Sequence, residues 1–233
     1  VNLERVFDTA QQAAEACGAE ILRALGEAIA INGRASVAFS GGSSPKRMFA
    51  WMASQPFDWS SVEIFWVDER CVPPDHADSN YRMTREALLD HIRPGGIHRI
   101  PAELPPAEAA ARYRAGVIAT LGDAPRFDVI HLGMGADSHT ASLFPGLAEI
   151  NDRTGVAAAV WVEKLQAHRI TLLPRVLLDA RQIAMLVTGE DKAPALREVF
   201  RGRYDPLTHP AQLIHRHAPL AEWFLDRAAV GGK

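Results

Sequence analysis

Asp137 and His139 stand two residues apart in GMGADSHTASLFPG (133–146), directly behind the apolar run DVIHL (128–132). Imidazole ionises near neutrality, which suits a general base. A lone histidine is more often structural, so spacing alone leaves both readings open. A second group is SGGSSPK (40–46), behind the run SVAF (36–39). Gly41 and Gly42 let backbone N–H groups approach a ligand closely, Ser43 follows them, and Pro45 suits the first turn of a helix. A helix start of this kind favours an anion, commonly phosphate, with a plain tight turn as the rival reading. The GxxxxGK[ST] spacing of a Walker loop is absent.

A third group is WVDERCVPPDHADSNYRMT (66–84), behind VEIFWV (62–67). An acid and a guanidinium at such a position, Asp68 and Arg70, can contact sugar hydroxyls or phosphate. The bland alternative is a solvated charge cluster with Ser79 or Asn80 capping the next helix. Arg169, opening RITLL (169–173), and Lys192, closing TGEDK (188–192), are two further cations at ends of apolar runs. Two weaker patterns carry little. Gly133, Gly135 and Ser138 mimic GxGxxG without its third glycine, so no dinucleotide cofactor is expected. His215 and His217 could share one face of a strand, as metal ligands do, but no third ligand at suitable spacing accompanies them, so no metal is expected.

The elements that must position these residues follow from periodicity. Residues 4–30 carry Val6, Ala10, Ala13, Cys17, Ile21, Leu25 and Ile29 at helical spacing and are expected to form one long amphipathic helix. SVAF, VEIFWV, DVIHL, VAAAVWV (156–162), RITLL and IAMLV (183–187) read as buried strands of a sheet covered on both faces. Helical segments near 44–54, 79–91, 107–121 and 191–200 separate several of them. LAEWFLDRAA (220–229) is ambiguous between helix and strand. Such alternation is the pattern of an α/β protein with a mostly parallel sheet, in which ligands sit beyond the carboxyl ends of the strands.

Composition narrows the class further. The 233 residues, 48% hydrophobic and 23% charged, are read as one globular domain spanning 1–233. A net charge of −3 offers no grip on nucleic acid. No apolar run approaches the ~18 residues of a membrane span. Glu4 and Asp8 interrupt the opening stretch, which therefore does not read as a signal peptide. Two cysteines form no disulfide framework, and a cytoplasmic location is expected.

SGGSSPK, WVDERCVPPDHADSNY, GMGADSHTASLFPG, HRITLL and TGEDK, in this order over about residues 36–226, resemble the 6-phosphogluconolactonase family. The resemblance implies the three-layer α/β/α sandwich of the glucosamine-6-phosphate deaminase superfamily, with a modified Rossmann-like sheet and LAEWFLDRAA as a strand. It implies hydrolysis of 6-phospho-D-glucono-1,5-lactone to 6-phosphogluconate without metal or organic cofactor. The implied partner is a small sugar-phosphate lactone, with no nucleic acid or membrane and no particular oligomeric state. By the same resemblance His139 activates water and Asp137 lies beside it. Gly41, Gly42 and Ser43 form the phosphate-side loop, Arg169 and Lys192 are its cations, and Asp68 and Arg70 face the sugar.

Ser138 departs from the glycine usual in the family, and a positive φ there would cost a serine about 1 kcal/mol. Deaminases of the superfamily carry an acid five positions after the histidine. Phe144 stands there instead, which favours the lactonase over a sugar-phosphate isomerase or deaminase. A non-catalytic sugar-phosphate-binding module, the other alternative, generally carries a DNA-binding segment, which neither the charge balance nor the N-terminal helix supplies. No GxSxG elbow occurs, so direct attack by water is expected, with turnover falling as pH drops through a histidine-like pKa.

Overall fold

The computed structural model describes residues 3–218 and 220–232. The first departure from expectation is at the start. Leu3–Phe7 is a strand, β1, and helix α1 begins only at Ala10, running to Asn32. Thr9 sets that boundary through a capping box: its hydroxyl accepts from the Gln12 N–H, and the Gln12 side chain accepts from the Thr9 N–H. Of the helical spacing expected from residue 4, only Val6 lay before this cap.

Seven strands form one sheet. In chain order they are β1, β2 (Ala35–Phe39), β3 (Val62–Trp66), β5 (Gly96–His98), β6 (Val129–Leu132), β9 (Gln182–Val187) and β10 (Ala221–Asp226). Their spatial order is β1-β10-β9-β6-β2-β3-β5, and every pairing is parallel. The segment that was ambiguous, LAEWFLDRAA, supplies β10. Every residue of β2 and of β6 is buried, so both faces of the central strands are covered, as near-continuous apolar runs require. Helices α1, α2 (Ser43–Ala53), α3 (Asn80–Ala87), α4 (Pro106–Leu121), α5 (Pro174–Leu178), α6 (Ala193–Arg201) and α7 (Gln212–His217) flank the sheet. Trp66, Trp223, Phe39, Phe65 and Phe224 are fully enclosed between the layers, each contributing about 1.5–3 kcal/mol.

Two of the expected buried strands leave this sheet. β7 (Ala157–Val162) and β8 (Ala167–Leu172) pair antiparallel, and β8 also pairs antiparallel with the short β4 (Asp68–Arg70). The physical reason is the link: only residues 163–166 separate β7 from β8, and a parallel crossover needs about a dozen. His215 and His217 lie on α7, not on a strand, and residues two apart on a helix do not face the same way. The segment expected to be helical to residue 91 is α3 to Ala87, followed by a 3-10 turn over Leu89–His91.

The chain runs β2 to β3 to β5 in one direction and then returns to place β6 on the other side of β2. The carboxyl ends of β2 and β6 therefore flank a topological switch point, where the loops diverge and leave a crevice. SGGSSPK follows β2 and GMGADSH follows β6.

Candidate active site

The loop after β6 folds tightly on itself. The Gly135 N–H donates to the His139 carbonyl at 2.9 Å, and the Ser138 N–H donates to the Gly135 carbonyl at 3.0 Å. Glycine is required at 135, because a Cβ there would lie 2.1 Å from His139 Nδ1. Ser138 has φ +67°, the left-handed conformation that a family glycine would adopt freely. Within this turn Asp137 Oδ1 lies 2.5 Å from His139 Nδ1. The carboxylate fixes the tautomer: Nδ1–H donates to Asp137 and Nε2 is left as the basic nitrogen. The Phe144 ring stacks on the imidazole, with centroids 4.1 Å apart and planes 23° apart.

Lys164 completes the group, and no feature of the sequence pointed to it. It sits in the turn between β7 and β8, hydrogen-bonds Asp137 Oδ2, and holds its ammonium 4.7 Å from the centre of the Phe144 ring. Burial lowers the His139 imidazole to about 4, with Lys192, Arg169 and Arg70 adding to the effect and Asp68 opposing it. The ring is thus neutral at pH 7, with its titration displaced well below the ordinary histidine range.

His139 faces a cleft of about 230 Å³, lined also by Gly41, Gly42, Ser43, Arg70, Gly135, Thr188 and Lys192. Loops following β2, β6 and β9 all contribute. Gly42 has φ +124° and precedes α2 with no side-chain cap, so the first N–H groups of that helix have no side-chain acceptor. Ser44 and Thr188 join their hydroxyls at 2.6 Å, tying the β2 loop to the β9 loop. Lys192 is largely enclosed and pairs with Asp191 at 2.7 Å.

Arg70 reaches the cleft from the antiparallel sheet, where it is directly opposite Arg169 across β4 and β8. The Nε atoms of both are buried without a hydrogen-bond partner. Adjacent guanidinium groups with unmet donors are an environment that an anion relieves. Desolvation, and then Arg70, lowers the Arg169 pKa from its ordinary value. Arg169 itself borders a neighbouring cavity of about 730 Å³ that shares Arg70 as its wall.

Asp68 lies elsewhere than the cleft surface. It is 6% exposed, accepts from the Ser142 hydroxyl at 2.6 Å, and its backbone carbonyl accepts from Asn80 Nδ2 at 3.0 Å. Its carboxylate therefore holds the β6 loop to the end of β3. Glu69 is likewise structural. It accepts from Ser79 Oγ and from the N–H groups of Arg70, Asn80 and Tyr81 at 2.8–3.0 Å, beside the start of α3, although burial raises its pKa. Ser79 is the cap of that helix. The structure thus gathers Gly41, Gly42, Ser43, Arg70, His139 and Lys192 on one cleft, with Asp137 behind the imidazole and Arg169 behind Arg70.

A neutral imidazole held by a carboxylate faces a helix start and two cations, at the switch point of a parallel sheet. That combination defines an α/β enzyme of small anionic metabolites. The family model for glucosamine-6-phosphate isomerases and 6-phosphogluconolactonase matches residues 8–223, and the chain belongs to that family. A 6-phosphogluconolactonase of Nostoc sp. is 38% identical over 90% of this chain and 89% of its own length. One from Aggregatibacter actinomycetemcomitans is 36% identical over 96% and 97%. The crystal structure of a 6-phosphogluconolactonase from Shewanella baltica superposes with a TM-score of 0.85 at 30% identity, covering 97% of this chain and 98% of that one. No helix among the described residues is long and apolar enough to cross a membrane.

Proposed function

We propose that this protein hydrolyses 6-phospho-D-glucono-1,5-lactone to 6-phosphogluconate in the oxidative pentose phosphate pathway, with His139 as general base. The observation that carries the reading is the 2.5 Å contact between Asp137 and His139 Nδ1, which turns a neutral Nε2 toward a cation-lined cleft. The phosphate is held by the glycine loop with Lys192, Arg70 and Arg169, placing the lactone carbonyl carbon, C1, against His139. Water attacks C1 as Nε2 takes its proton. The ring C1–O bond then breaks, and the imidazolium returns that proton to the departing ring oxygen. The carboxylic acid product ionises in solvent. Asp137 steadies the imidazolium between the two steps.

A lactone is an activated ester, so modest means suffice. A positioned base supplies about 10²–10⁴-fold, and backbone donors at the developing oxyanion about 10²–10³-fold. Asp68 acts through Ser142 and Asn80 rather than on the sugar. The rival is an aldose–ketose isomerase or deaminase acting on an amino sugar phosphate. Phe144 speaks against it, since an aromatic ring stacked on His139 occupies the place of the acid that would assist ring opening. The test is a paired assay: lactone loss above the spontaneous rate, and ammonia release from glucosamine 6-phosphate. Lactone loss alone supports the reading, whereas ammonia release without accelerated lactone loss refutes it. The two free thiols, Cys17 and Cys71, accord with a reducing, cytoplasmic setting.

A further inference from the structure

Ser138 lies between the two members of the Asp137–His139 pair in a conformation that serine rarely adopts. It is 1% exposed and has φ +67°. Besides its N–H bond to Gly135, it has two anchors from a single distant segment. Its carbonyl accepts from the Ala211 N–H at 2.9 Å, and its Oγ lies 3.0 Å from His209 Nδ1. The same segment grips the far end of the loop, where the Gly146 N–H donates to the Leu207 carbonyl at 2.8 Å. Residues 207–211 therefore clamp the histidine loop at both ends.

We infer that His209 is a positioning residue for His139, acting through the Ser138 hydroxyl. The inference rests on the reading of His139 as general base and extends it. A buried hydroxyl needs a partner, and here the partner also opposes the preference of an L residue for negative φ. If Ser138 relaxed toward negative φ, the chain between Asp137 and His139 would take another path. A hydrogen bond spanning only two residues would not survive that change. Glycine at 138 would adopt the same φ unaided and would make the anchor unnecessary. A serine held in the left-handed conformation and the His209 anchor on its hydroxyl thus act as a pair.

The test is a double-mutant cycle read by kcat and KM on the lactone, with folding monitored by thermal unfolding. His209→Ala is expected to lower kcat about tenfold with KM within about twofold, since the base is displaced while the phosphate site is untouched. In the Ser138→Gly background the same change is expected to cost less than about twofold. His209→Asn, whose amide reaches the position of Nδ1, should restore most of kcat. His209→Gln, which fills the space but carries its amide at the position of Nε2, should behave like His209→Ala. Equal losses in both backgrounds, equal behaviour of the Asn and Gln variants, or unaltered kcat in His209→Ala would overturn the inference. His139→Ala separates it from the reading beneath: full turnover in that variant removes the base itself. Loss there with unaltered His209 variants removes only the positioning role.

Discussion

Ordinary imidazole titrates near 6.5, whereas burial among cations lowers His139 to about 4. The difference is largest in mild acid. At pH 5.5 an ordinary histidine is only about 9% neutral, whereas one with a pKa of 4 is about 97% neutral. The free protein can be titrated by ¹H–¹³C NMR of the imidazole Cε1–H groups. The His139 signal is identified among the nine histidines by its loss in His139→Ala. We expect a midpoint near 4, well below the histidine-like pKa expected from sequence. Bound phosphate offsets Lys192, Arg70 and Arg169, so the acid limb of kcat should lie above the free-protein midpoint. Lys164→Ala should raise the midpoint, because it removes the cation that pairs with Asp137. A free-protein midpoint between 6 and 7 would refute the reasoning, since burial and the surrounding cations would then not control this group.

Three other outcomes follow from the same geometry. Asp137→Asn should lower kcat by about 10–10²-fold with little change in KM, read by steady-state kinetics, because the imidazolium loses its charged partner while the phosphate site stays intact. Lys192→Ala should raise KM by about 10- to 150-fold, the worth of one charge-assisted hydrogen bond of about 1.5–3 kcal/mol, with kcat changed far less. His131, enclosed between Phe39 and Phe49, has a pKa lowered to about 3 by burial. The unfolded chain takes up that proton near 6.5, so stability is full above that pH and declines as pH falls toward 3, by an amount on the order of 4 kcal/mol. His131→Phe should flatten the decline in denaturant midpoint between pH 7 and 5, and an unaltered slope would show that His131 carries none of it.

The parallel sheet was legible because its central strands are buried on both faces and so read as unbroken apolar runs. The antiparallel sheet was misread because VAAAVWV and RITLL are apolar runs too, although only Val160 and Val162 of β7 are buried. The informative signal was the connection, since residues 163–166 are too few for a crossover. β1 was taken into the first helix because Val6 happens to continue its spacing, while Thr9 and Gln12 held the true boundary. At the site, the residues that follow strands directly could be read from position alone. Lys164 could not, because it approaches Asp137 from a hairpin of the second sheet. His209 could not either, because its contact with Ser138 spans 71 residues. Asp68 follows β3 as the sequence indicates, but it is buried on Ser142 and Asn80, which no local pattern discloses.

The two sheets divide the work of the site. The parallel sheet fixes geometry: its switch point brings the β2 loop and the β6 loop together, and rigid strands hold both. The antiparallel sheet adds charge to that of Lys192, which follows β9. Arg70 and Arg169 stand on adjacent strands of it, and Lys164 on the turn that joins β7 to β8. A switch point alone offers backbone donors and a dipole, which suffice to bind an anion, and burial is the larger cause of the lowered imidazole pKa. Adding cations around a buried ring does two things at once. In the proposed reaction it holds the phosphate, and in the free protein it lowers the pKa of the neighbouring imidazole further than burial alone. Lys192, Arg169 and Arg70 add to the effect of burial on His139 in the free protein, so on the proposed reading a bound phosphate would offset them and restore part of the imidazole's basicity.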